Sequence, residues 1–202
     1  MIIDEYLAKV VNSLPEHPEF MPSNVDVKAE QIKMIMINEA MPDNIEDYFY
    51  SPAKTAEFAC AAVELFNKAG KEVNKIDDIL NMGIYITSAV KCPKKDSIIP
   101  GTIIKEHSFL LEEELKLFPN LKVIMLMGDV AKKSMNMISK RTTKKNVIPS
   151  IATYKIRQDD FFYKDIQVIP SYIMTGPNLL IEKSKVTMIV EDIQKGLRIL
   201  NL

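Results

Sequence analysis

The side chains in this sequence best suited to chemistry stand at the ends of short apolar runs. Glu39 follows IKMIMI at residues 32–37. An acid delivered there can position or deprotonate a water if burial raises its pKa, and can equally cap a helix or pair with a nearby lysine. Tyr48, Phe49 and Tyr50 come next. A ring in such a loop can stack on a flat heterocycle, worth about 1–3 kcal/mol per base, or simply pack beneath the loop. Ser88 precedes Lys91 and Cys92, and lysines at 91, 94 and 95 favour a thiolate at Cys92. No histidine lies near it in sequence, so a bystander cysteine is the alternative reading. His107, in a charged segment, reads as a solvated surface residue, and Cys60, among alanines, reads as packing. Gly128-Asp129 follows VIMLM, where free backbone N–H groups at a helix start can hold phosphate. Pro170-Ser171 closes the last apolar run. Lys132, Lys133, Lys140, Arg141, Lys144 and Lys145 gather in one segment, enough to contact several phosphates or to form a solvated face.

The elements that must position these groups are legible in the pattern. Continuous apolar runs at Ile32–Ile37, Ile84–Val90, Val123–Met127 and Asp165–Pro170 predict four strands buried on both faces. Helical spacing predicts helices over about 2–13, 54–69 with Gly70 closing it, 76–80, 104–118 between Thr102 and Pro119, 130–139, and from Leu180 onward. Residues 151–156 and 161–163 predict a small hairpin or irregular pair. Strands alternating with helices imply an α/β fold, a four-stranded parallel sheet in a three-layer α/β/α sandwich. In such open sheets the strand ends converge on one crevice.

Composition narrows the classes further. At 202 residues with 47% hydrophobic content, one core and a single domain over 1–202 are expected. A formal net charge of -1 excludes a broadly basic nucleic-acid coat while leaving room for a local patch. Two cysteines exclude a disulfide framework and, by themselves, a four-thiolate metal or iron–sulfur site, and they suit a reducing cytoplasm. Asp4 and Glu5 stand where a signal peptide carries bases, and no apolar run reaches the ~20 residues that span a bilayer, so a soluble, unprocessed chain is expected. No Walker, Rossmann, zinc or Ser-His-Asp pattern is present in the sequence.

The strings IYITSAVKCPKK, SFLLEEELKLFPNLKVIMLMGDVAKK and VIPSYIMTGPNLL to VEDIQKGL resemble, in order, the uracil-DNA glycosylase superfamily, above all its bacterial and archaeal family 4. That resemblance implies a fold of the same kind and a DNA glycosylase-like hydrolase acting in base-excision repair on uracil or a related damaged or deaminated base. It places Glu39 on the water-activating acid and Phe49 or Tyr50 on the base-stacking aromatic. Ser88 takes the place of an asparagine that reads the base edge, and Ile169 that of a histidine supporting the departing base. Pro170 and Ser171 match the phosphate-side motif, with Lys140, Arg141, Lys144 and Lys145 as further DNA contacts. Cys92 matches one iron–sulfur ligand, His107 stands where a second belongs, and the N-terminal pair is absent, so no cluster or other cofactor is expected. Two other readings stay open, a catalytically silent nucleic-acid or nucleotide-binding module and a small-molecule hydrolase of nucleosides.

Overall fold

A computed structural model describes residues 2–15, 17–94, 98–176, 179 and 182–202. Lys95, expected beside Cys92, and Leu180 and Ile181, expected to open the last helix, lie outside the described residues. Among the described residues five strands form one sheet: β1 (Met34–Met41), β2 (Ile84–Pro93), β3 (Val123–Met127), β4 (Phe161–Tyr163) and β5 (Ile166–Ser171). Their order is β2-β1-β3-β5-β4, parallel except for the β4–β5 pair.

The fifth strand corrects the expected count of four. Lys164, with φ 55, turns the chain back so that Phe161–Tyr163 runs antiparallel along β5, while residues 153–156 form a helical turn instead of a hairpin arm. Pro170 lies beyond the last β4–β5 pair, Phe161 with Val168, where β5 is an edge and a missing N–H is tolerated.

Among the described residues seven α-helices lie around the sheet: α1 (Ile3–Ser13), α2 (Glu57–Lys68), α3 (Ile76–Asn81), α4 (Gly101–Lys116), α5 (Asp129–Thr143), α6 (Thr153–Ile156) and α7 (Lys183–Leu200). Strand alternation divides the core in two. Met34 and Met36 face Leu65 and Phe66 of α2 and Ile189 and Ile193 of α7. Ile35 and Ile37 face Leu7 of α1, Leu111 of α4 and Met135 of α5. Both faces are therefore covered, which is why the strands read as unbroken apolar runs. No helix among the described residues is long and apolar enough to cross a membrane.

One register detail creates the site. β1 pairs with β3 only as far as Ile37 with Leu126, yet stays with β2 as far as Met41 with Pro93. The central strand thus parts from one neighbour while it is held by the other, and a gap opens at the carboxyl end where the strand order reverses.

Candidate functional site

Glu39 stands in that gap. The chain leaves β3 through Gly128, whose φ of 105 only glycine adopts easily, and α5 begins at once. A Cβ at Gly128 would lie 2.5 Å from Glu39 Oε1 and 2.6 Å from Ile173 Cγ1, so the close approach excludes any side chain as well. Val130 N–H then donates to Glu39 Oε1 at 3.0 Å. The helix start that could have held a phosphate is therefore occupied by the protein's own carboxylate. Glu39 Oε2 has no hydrogen-bond partner among the described residues.

Two cavities meet at this carboxylate. One of about 480 Å³ runs past Gly128, Thr153, Tyr154, Ser171 and Tyr172. The other, of about 380 Å³, runs past Asn38, Asp43, Phe58 and Lys94. Glu39, Ile173, Thr175 and Gly176 belong to both. Each volume is in the range of small-molecule sites. Asn38, buried on β1, is tied across the gap to Thr175 by contacts of 3.3 and 3.4 Å, which places an amide edge beside the acid.

Ser171 reaches the first cavity from the end of β5, and its hydroxyl donates to Asp192 Oδ2 on α7 at 2.7 Å. Asp192 is fully buried. Burial pushes its carboxyl up from 3.8 to about 6, against the opposing pull of the Ser171 bond and the Arg157 guanidinium. Arg157 Nη2 lies 2.8 Å from Asp192 Oδ1 as an ion pair without hydrogen-bond alignment, and Arg157 Nε has no hydrogen-bond partner among the described residues. Arg157 is further anchored to Met188 O and Glu191 Oε2, both at 2.7 Å. The Ser171 hydroxyl is thus committed to a buried acid rather than presented as a donor for phosphate.

The other expected site residues fall elsewhere. Phe49 is buried in the core, edge-on to Tyr48 with centroids 5.2 Å apart and tilted against Phe58 at 5.3 Å, and lines neither cavity. Tyr50 stacks on Tyr85 at 5.8 Å and its hydroxyl accepts Ile86 N–H at 2.8 Å, beside a separate cleft of about 740 Å³. Ser88 pairs with Asn38 in register but is sealed under the loop. The Tyr48 hydroxyl approaches it, yet Ser88 Oγ has no contact of hydrogen-bond geometry. Ile169 is a core residue against α7, not a wall of the gap. The aromatic rings that do border the gap are Phe58, Tyr154 and Tyr172. Phe58 is hidden in sequence because it repeats in step with the core face of α2. Tyr154, 62% exposed, sits in a stretch without periodicity.

The basic segment lies at the wrong end of α5 for this gap. Lys140 follows Asp129 by eleven residues, roughly 17 Å along a helix rising 1.5 Å per residue, and Lys144 and Lys145 lie beyond its last residue, Thr143. Arg141 is fully engaged there, with Nε on Glu112 at 2.8 Å, Nη1 and Nη2 on Ser108 at 2.9 Å, and the Phe109 ring 4.2 Å away. Lys144 closes the helix in the left-handed region, and Lys140, Lys144 and Lys145 are exposed. Lys132 is buried against Asp129 at 2.7 Å and Thr153 at 2.8 Å.

Three further expectations are corrected. His107 is 1% exposed, not solvated, and its Nε2 lies 3.6 Å from Cys92 Sγ. Lys91 turns away from Cys92 to a buried ion pair with Glu114 at 2.5 Å, which Tyr85 and Thr87 complete at 2.8 and 2.9 Å. Cys60, expected to pack, is exposed on α2. Among the described residues no group of three or more His, Cys, Asp or Glu side chains is arranged to hold a metal ion.

No family model matches this sequence, and no curated protein matches it.

Proposed function

We propose that this protein is a divergent uracil-DNA glycosylase-like hydrolase that cleaves the N-glycosidic bond of a damaged or deaminated base. The observation that carries the reading is the Glu39 carboxylate, one oxygen fixed by Val130 N–H and the other open where two cavities of nucleobase-admitting size meet. An acceptor held this way can orient a water toward the anomeric carbon of a sugar, with general-base help of typically 10²–10⁴-fold. Phe58, Tyr154 and Tyr172 offer faces for the base, and Asn38 with Thr175 offers its polar edge. The departing base takes no donor from Ser88 or Ile169, and removing one such donor typically costs about 10²–10³ in rate. The favoured substrates are therefore bases that leave readily, with hypoxanthine and xanthine ahead of uracil.

Single-turnover assays on oligonucleotides and deoxynucleosides carrying these three bases test this. Glu39→Gln keeps an acceptor for Val130 N–H but removes the carboxylate, so it should fold like wild type and lose at least about a hundredfold in base release. No release of any of the three by wild type, or an equal rate from Glu39→Gln, removes the hydrolase reading. Replacing Lys140, Lys144 and Lys145 together by Gln should leave cleavage within about twofold, since they lie at the far end of α5, the nearest of them roughly 17 Å from the helix start that Glu39 caps.

The second reading is a silent binding module for a nucleic acid or nucleotide. It is favoured by the fact that Glu39 already has a structural task as the cap of α5. Salt-dependent DNA binding without base release would support it.

A further inference from the structure

Away from the Glu39 gap, at the end of β2, a separate cavity of about 250 Å³ is walled largely by apolar side chains, Val90, Pro93, Ile98, Ile99 and Ile103 among them. Cys92 and His107 both line it. The protonation of this pair is set by the backbone. His107 Nδ1 accepts the Lys91 N–H at 3.0 Å and must present its lone pair there. In a neutral imidazole the hydrogen then sits on Nε2, which points at Cys92 Sγ 3.6 Å away. Burial, with the Lys91 ammonium, pushes the ring down to about 4, so it stays neutral at ordinary pH. His107 therefore donates to the sulfur and cannot take its proton. A donor aimed at sulfur favours the charged, nucleophilic form. Among the described charged groups on the cavity wall are two acids, Glu19 and Glu106, and one base, Lys94, and the His107 donor is a group placed to support negative charge on sulfur.

We propose that Cys92 is a modifiable thiol and that this cavity admits a compact, mainly apolar soft electrophile of the α,β-unsaturated carbonyl class. The volume equals about eight waters at about 30 Å³ each, room for a compact small molecule but not for a peptide. The thiol first gives its proton to water. The sulfur electron pair then forms a bond to the β-carbon, and the carbon–carbon π pair moves to give an enolate. Protonation of the α-carbon by water completes the net addition of S–H across the double bond. His107 acts as a positioning residue, holding the sulfur and supporting its charge before attack. The site does not depend on the glycosylase reading.

The test uses N-ethylmaleimide as probe on the native full chain, with peptide mass mapping to follow Cys92 and Cys60 separately. Cys60, exposed on α2, is the internal control. Cys92 is expected to be labelled without denaturant, and pyrene maleimide, too large for the cavity, should reach Cys60 alone. His107→Phe should slow labelling of Cys92 about tenfold, the worth of one hydrogen bond to a charged group, and leave Cys60 unchanged. Ile103→Trp, which fills the cavity from α4, should block Cys92 and spare Cys60, and it decides the matter if the histidine variant does not fold. Labelling of Cys92 only in urea, or at a rate indifferent to both substitutions, overturns the proposal.

Discussion

Lowering the pH from about 8 to about 4 should strip away the stability that His107 supplies as a neutral ring. Its folded-state value lies below the ordinary 6.5, at about 4, chiefly because of burial, with the Lys91 ammonium adding to the effect and Glu19 opposing it. A depressed histidine leaves stability intact above 6.5 and loses it as the pH falls through about 4. At about 1.4 kcal/mol per pH unit the gap is about 3 kcal/mol, and solvent screening takes little from it because the ring is 1% exposed. Asp192 works in the opposite sense. Its carboxyl is raised from 3.8 to about 6, so its contribution is fully present below 3.8 and lost as the pH rises through about 6, again about 3 kcal/mol. Over the shared window the two nearly cancel in a raw stability curve. The assay is therefore urea unfolding of wild type against His107→Gln at a series of pH values. The glutamine amide can accept from Lys91 N–H and donate to Cys92 without titrating. Wild type should lose about 3 kcal/mol relative to this variant between pH 8 and pH 4, and Asp192→Asn should show a relative change of opposite sign. A wild-type-minus-variant difference that stays constant within about 0.5 kcal/mol would refute the argument that burial sets the ring's protonation.

Two further substitutions probe the gap and the sealed serine beside it. Gly128→Ala places a Cβ against the Glu39 carboxylate and in a conformation that L residues resist, so a loss of about 2 kcal/mol or more is expected in denaturant unfolding, and a change under about 0.5 kcal/mol contradicts the packing described. Ser88→Ala removes a buried hydroxyl that has no hydrogen-bond partner among the described residues and should be neutral or stabilising by up to about 1 kcal/mol, whereas a loss above that would reveal a hydrogen bond to Tyr48.

The sequence made the sheet plain and the site only in part. β1, β2, β3 and β5 were legible because parallel strands covered on both sides carry no polar alternation to confuse. β4 was legible only as part of a small hairpin or irregular pair with 151–156, since three residues, half-buried, exposed and buried in turn, are too short for a period to show or to name their partner. Glu39 was legible as the polar residue closing an apolar strand. Its capping bond to Val130, ninety-one positions away, depends on how two strand ends meet and leaves no local trace. The aromatic loop misled for the same reason. Phe49 stands in a loop and Phe58 in step with the core face of α2, and only the tertiary packing decides that the first turns inward while the second borders a cavity. His107 misled differently. On α4 it shares a buried face with Leu111 and Glu114, and a polar residue on such a face looks, in sequence, like part of the wet one.

The parting of β1 from β3 after Ile37 bears on how this protein can change over evolutionary time. The position of Glu39 is fixed by backbone pairing with β2 and by a helix start, neither of which belongs to the loops that wall the gap. Insertions or replacements in residues 42–56 or 172–176 can reshape what enters while the acid stays at its post, as happens when one scaffold hosts several chemistries. The converse holds too. A single change at Gly128 or in the β1–β2 register would abolish every such variant at once, so drift in substrate preference should be common and loss of the acid's placement abrupt.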